Sequence, residues 1–98
     1  MVEQGDIILA GGIEHPLLVI SNNTYNKTGH LIACPVLSEC PNEWLTVLAN
    51  TETVTGYIIC DNPRQIDWHA RGAFLKSRIS LGTLLNVLDR VQALFEYV

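Results

Sequence analysis

The apolar residues of this chain fall into short runs through its first two thirds and then change period. Residues 6–10, Asp6-Ile7-Ile8-Leu9-Ala10, form a brief apolar run closed by Gly11-Gly12. Residues 16–21, Pro16-Leu17-Leu18-Val19-Ile20-Ser21, form a second. Pro16 suits its first position because proline has no N–H to donate to a ladder. Residues 22–29 are rich in Asn, Thr and Gly and predict a loop, with no helix between the second and third strands. A third run, Leu31-Ile32-Ala33-Cys34-Pro35-Val36-Leu37, is apolar throughout. Residues 44–48 alternate, and residues 53–60 return to β-branched and aromatic types. Short apolar runs bounded by turn formers predict buried strands. From Ser80 the spacing becomes helical: Leu81, Leu84, Leu85, Leu88, Val91 and Phe95 share a stripe, with Asp89, Arg90, Gln92 and Glu96 off it. Ser80 is the expected N-cap of a helix running to the C-terminus. Five or more antiparallel strands with one closing helix predict a mainly β fold, a small barrel or sandwich.

Composition narrows the function classes. The 98 residues predict one domain, 1–98, and 48% hydrophobic with 16% charged residues predicts a folded chain. The net charge of −4 argues against nucleic-acid binding over the whole surface, so any such contact needs a local basic patch. No apolar run approaches the roughly 20 residues of a membrane span. The acidic start Met1-Val2-Glu3-Gln4-Gly5-Asp6 lacks an apolar signal core and predicts a cytoplasmic protein. Cys34, Cys40 and Cys60 are odd in number and lack CxxC spacing, and two lie in apolar runs. They read as reduced, mostly buried thiols rather than a metal site, and no cofactor motif is present.

Residues 56–72 carry the densest chemistry. Two arginines (Arg64, Arg71), two aspartates (Asp61, Asp67) and Trp68 crowd one segment of a chain with few charges elsewhere. Arginine presents a planar fork of donors that fits phosphate, and tryptophan a face on which a base stacks. Arg64, Trp68 and Arg71 are therefore candidate contacts to phosphate and base, with Lys27 and His69 as further basic candidates. The competing reading pairs Asp61 and Asp67 with the two arginines and buries the tryptophan; of the two arginines, Arg71 is expected to be structural and Arg64 the more exposed. His30 is expected in an exposed turn.

The chain also resembles a known family. Gly5-Asp6-Ile7-Ile8-Leu9 is similar to the opening strand of the MazF/PemK toxins of bacterial toxin–antitoxin pairs. His15-Pro16-Leu17-Leu18-Val19-Ile20-Ser21-Asn22 resembles the family's RPALVISN strand, and Cys34-Pro35-Val36-Leu37-Ser38 its CPITS-like strand end. Gly56 to Gly72 resembles GxxLCDQxRTxDWRARG nearly throughout. The resemblance implies an SH3-like antiparallel barrel with a C-terminal helix, a homodimer, and an antitoxin protein as partner. It implies a ribosome-independent, sequence-specific endoribonuclease on single-stranded RNA that uses neither metal nor cofactor. In that chemistry the RNA 2′-hydroxyl attacks the adjacent phosphate, leaving a cyclic phosphate and a free 5′-hydroxyl. The family's catalytic arginine and threonine fall here on His15 and Leu37, and the connection from Ala10 to His15 is short and acidic. Imidazole suits general acid–base work near neutral pH. His15 is accordingly the candidate catalytic residue, with Ser38 as the nearest hydroxyl to replace the threonine. The departures predict little or no cleavage compared with an intact family member, and a non-enzymatic relative that binds RNA, an antitoxin or another partner is the alternative.

Overall fold

The computed structural model describes residues 1–97. Its elements are β1 (Asp6–Ala10), β2 (Leu17–Val19), a one-turn helix α1 (Asn23–Asn26), β3 (His30–Leu37) and a 3-10 turn (Glu43–Leu45). Then follow β4 (Thr46–Asn50), β5 (Thr55–Ile59), β6 (Arg64–Asp67), the one-turn helix α2 (Trp68–Arg71), β7 (Ala73–Arg78) and α3 (Leu81–Ala93). All pairings are antiparallel, in the order β4-β5-β3-β2-β1-β7. β3 is the hub. It pairs with β2 at Ala33 to Pro35, with β6 at His30 to Ala33 and with β5 at Val36 and Leu37. Sharing one long strand among three partners curls the sheet into a half-barrel.

The strands read as continuous apolar runs because both faces of the sheet are buried. Successive side chains point to opposite faces. Ile7, Leu18, Cys34 and Val36 enter one core with Ile58, Leu84 and Val87. Their neighbours Ile8, Leu17, Val19 and Ala33 enter a second with Val2, Leu31 and Ile66. Each fully buried Leu or Ile contributes about 1.5–3 kcal/mol relative to an exposed one.

Ser80 caps α3 as expected, its hydroxyl accepting from the Thr83 N–H at 3.2 Å. The buried stripe differs from the expected one. Leu84 and Val87 are buried and Leu88 and Val91 half-buried, whereas Leu81, Leu85 and Phe95 are exposed. α3 ends at Ala93 rather than at the C-terminus, and Val98 lies outside the described residues.

Other differences have local causes. The expected loop at 22–29 contains α1, because the Asn22 side chain accepts from the Tyr25 N–H and nucleates one turn. Trp44 and Leu45 belong to the 3-10 turn, where the Asn42 carboxamide accepts from the Trp44 N–H, so the alternating run becomes strand only at Thr46. β6, α2 and β7 have no counterpart in the apolar pattern. β7 is exposed at Phe74, Leu75 and Lys76 and takes its strand form from its ladder with β1.

That ladder ends in a polar clamp. Asp6 is 2% exposed, accepts from Arg78 Nε at 2.8 Å and from the Glu3 N–H at 2.9 Å. Arg78 also reaches Glu3 at 3.3 Å, and its pKa is raised by its hydrogen bond and charge interaction with Asp6.

The three cysteines are free, Cys34 and Cys60 being buried and Cys40 partly exposed. Burial pushes the Cys34 thiol up to about 12 and the Cys60 thiol up to about 11. Cys40 is therefore expected to react first with iodoacetamide at neutral pH, with Cys34 and Cys60 reacting only on unfolding, as read by mass spectrometry. Because the folded state holds these two protons more tightly than the unfolded chain does, their contribution is intact below the ordinary thiol pKa of 9.0 and is lost as pH rises toward 11 and 12. Melting temperature should fall over that alkaline window, and Cys34→Ala should blunt the fall.

Candidate nucleic-acid interface

β6 and α2 run between two clefts. The first, of about 360 Å³, brings together Ile13, Glu14, His15, Arg64, Gln65 and Arg71. The second, of about 420 Å³, is lined by Lys27, Thr28, His30, Asp67, Trp68 and His69. The candidate residues therefore divide into two neighbouring groups, with Ser38 in neither.

Arg64 opens β6 opposite Ala33. Its side chain is exposed and, among the described residues, makes no hydrogen bond or ion pair. Arg71 ends α2, and its Nη1 donates to the Gly11 carbonyl at 3.0 Å. This contact clamps the β1–β2 connection against α2. Gly11 is required there, since a Cβ would lie 2.5 Å from the Arg71 carbonyl oxygen. Arg71 keeps further N–H donors facing the cleft, because a guanidinium carries five.

The expected pairing of Asp61 and Asp67 with the arginines does not occur. Asp67 is the N-cap of α2 instead, its Oδ1 accepting from the Ala70 N–H at 3.0 Å and its Oδ2 lying 3.8 Å from His30 Nε2. Asp61 is exposed and makes no ion pair among the described residues. Helix capping took one carboxylate and the turn after β5 carried the other away, so both arginines keep their charge unneutralised. His30 likewise departs from expectation: it starts β3 and faces Asp67 across the ladder.

Trp68 is an anchor. Its indole N–H donates to the Asn26 carbonyl at 3.0 Å, and the half-buried ring packs on the second core. His69 meets it edge to face, with ring centroids 6.3 Å apart. Lys27 caps α1 and is exposed.

His15 stands at the entrance to β2. Its Nδ1 lies 3.2 Å from the Pro16 carbonyl oxygen. A carbonyl only accepts, so the tautomer with its proton on Nδ1 can donate here, and that tautomer carries its lone pair on Nε2. The register pairs Leu17 with Pro35, and the Val36 N–H donates to the Pro16 carbonyl at 2.9 Å. Leu37, an aliphatic side chain with no donor, ends β3 and pairs with Tyr57 of β5. Ser38 follows just past the strand end and is exposed.

Glu14 and Gln65 also line the first cleft, and the sequence pattern did not single out either as a contact. Among the described residues, no group of three or more His, Cys, Asp or Glu side chains could hold a metal ion, and no helix is long and apolar enough to cross a membrane.

A curled antiparallel half-barrel closed by a C-terminal helix, with His15, Arg64 and Arg71 along one cleft, is the frame of a small-barrel protein. A profile of the PemK-like, MazF-like toxins of type II toxin–antitoxin systems matches residues 3–95, and the chain belongs to this family. Among solved structures, it is similar to MazE–MazF from Deinococcus radiodurans, at 27% identity and TM-score 0.87, covering 95% of this chain and 94% of that one. MazF from the same organism gives 25% identity and TM-score 0.84, with the same coverage. An endoribonuclease in complex with its cognate antitoxin, from a mycobacterial species, shares the fold at 19% identity and TM-score 0.83, covering 100% of both chains. No match was found among curated proteins.

Proposed function

We propose that this toxin cleaves single-stranded RNA without a metal ion, at the cleft where His15, Arg64 and Arg71 meet. The observation that carries the reading is that one groove holds two arginines that form no ion pair among the described residues and an imidazole that meets the backbone through Nδ1 rather than Nε2. Arg64 and Arg71 hold the phosphate. Nε2 of His15 takes the proton of the RNA 2′-hydroxyl as its oxygen bonds to phosphorus. The bond from phosphorus to the 5′-oxygen breaks, and that oxygen takes a proton from water, leaving a cyclic phosphate and a 5′-hydroxyl. Leu37 contributes no donor to the charge developing on phosphorus, so the chemistry is slow. One missing preorganised donor costs on the order of 100- to 1000-fold in rate.

The test is incubation of purified protein with a mixed-sequence single-stranded RNA in excess EDTA. Slow cleavage to cyclic-phosphate and 5′-hydroxyl ends supports the proposal, and RNA binding with no cleavage moves it to the non-enzymatic reading. Arg64→Ala is expected to weaken RNA binding and to lower the salt slope by about 0.7, the contribution of one phosphate on a single strand. Its melting temperature should stay within a degree or two, since Arg64 holds nothing in the fold.

The partners belong to the same proposal. Family membership supports an antitoxin protein as binding partner in the cytoplasm. Phe74 and Leu75 on β7, with Leu81 and Leu85 on α3, leave apolar surface that supports a two-fold homodimer. Sedimentation at micromolar concentration should give twice the 10.9 kDa chain mass, and a monomer alone would remove this part.

A further inference from the structure

The first cleft contains a group that does not fit a purely phosphate-binding surface. Glu14 is exposed, lines the groove beside Arg64 and Arg71, and makes no ion pair among the described residues. An unpaired carboxylate next to a passing phosphate weakens binding through charge repulsion. Gln65 lines the same groove, and its Nε2 donates to the Tyr25 hydroxyl at 2.7 Å, which fixes the carboxamide in place while leaving its carbonyl oxygen free. Ile13 adds an apolar contact within the same walls. A groove with cations for phosphate, an apolar wall, one held acceptor at Gln65 and one free carboxylate at Glu14 is equipped to read a base.

We propose that Glu14 and Gln65 form a base-reading pair that selects nucleotides with an exocyclic amino group next to the scissile phosphate. This rests on the RNA-cleavage reading above. An ionised carboxylate only accepts hydrogen bonds. The cytosine N4 amino and adenine N6 amino groups donate to it, and carboxylate-to-cytosine pairing is an established mode of base discrimination. Uracil presents carbonyl oxygens where those bases present an amino group, so Glu14 repels it. The same acceptor requirement at the free Gln65 oxygen reinforces the choice. Glu14 thus acts against the wrong base as well as for the right one.

The experiment measures binding of fluorescein-labelled oligo-C, oligo-A and oligo-U by anisotropy in EDTA at low salt, with wild-type protein, Glu14→Gln and Gln65→Ala. It is joined to sequencing of cleavage ends from a random single-stranded RNA pool. Wild type is expected to bind oligo-C or oligo-A on the order of 5- to 100-fold more tightly than oligo-U. Glu14→Gln should bring the oligomers within about twofold of one another, chiefly by tightening oligo-U. Gln65→Ala should shrink the preference, with melting temperature unchanged. A preference that survives Glu14→Gln, or a variant that loses affinity equally for all three oligomers, overturns the base-reading pair and leaves RNA cleavage standing. A wild-type protein with no affinity for any oligomer overturns both.

Discussion

Leu37→Thr is expected to raise RNA cleavage on the order of 100- to 1000-fold, the size of effect associated with one preorganised donor at a developing oxyanion. Leu37 stands where the resembled family has its threonine, one position past Val36, whose N–H donates to the carbonyl of Pro16, the neighbour of His15. Threonine is β-branched and suits the ladder with Tyr57, so the strand should persist. The companion change, His15→Ala, should lower cleavage by about 100- to 10,000-fold, the range for a positioned acid–base group. It should also change the shape of the pH–rate profile, which loss of a merely structural histidine would not do. The measurement is single-turnover cleavage of one labelled oligonucleotide across pH in EDTA. A Leu37→Thr rate equal to wild type would show that the missing donor is not what limits this site. Robust wild-type cleavage abolished by His15→Ala would show that the imidazole alone suffices.

Asp6→Ala should produce the largest loss of stability among polar substitutions. The carboxylate is buried and accepts from Arg78 Nε and the Glu3 N–H, tying the start of β1 to the end of β7. Removing it takes the partner from both donors at once. Hydrogen bonds to a charged group contribute roughly 1.5–3 kcal/mol each, so a net loss of about 3 kcal/mol is expected. In a domain of this size that lowers the melting temperature by roughly 12–24 °C. Glu3→Ala is the internal control. Glu3 meets Arg78 through a half-exposed pair, and such pairs contribute between nothing and about 1 kcal/mol. Thermal melts of the two variants should therefore differ sharply. Equal melting temperatures would show that the clamp does not hold the sheet edge.

The sequence by itself determined the β runs, the closing helix and its cap, and the family. Each rests on information held within a few residues: side-chain period, turn formers, and a serine placed before a helical stripe. Continuous apolar runs at Leu17 to Val19 and Leu31 to Leu37 were legible as buried strands because both sheet faces are covered. β6 and β7 were not legible, since their strand form comes from partners far along the chain. α1 and α2 escaped for the opposite reason: each is a single turn held by one Asx cap, too short to show a period. The clustering of His15, Arg64 and Arg71 was decided only by tertiary structure. Arg71 reaches Gly11 across 60 residues, and β3 sets Arg64 opposite Ala33. Which carboxylates neutralise which arginines was decided there too. A charge pair depends on where backbones bring side chains, and Asp67 was taken by the N–H of Ala70, three residues away, before any arginine could compete.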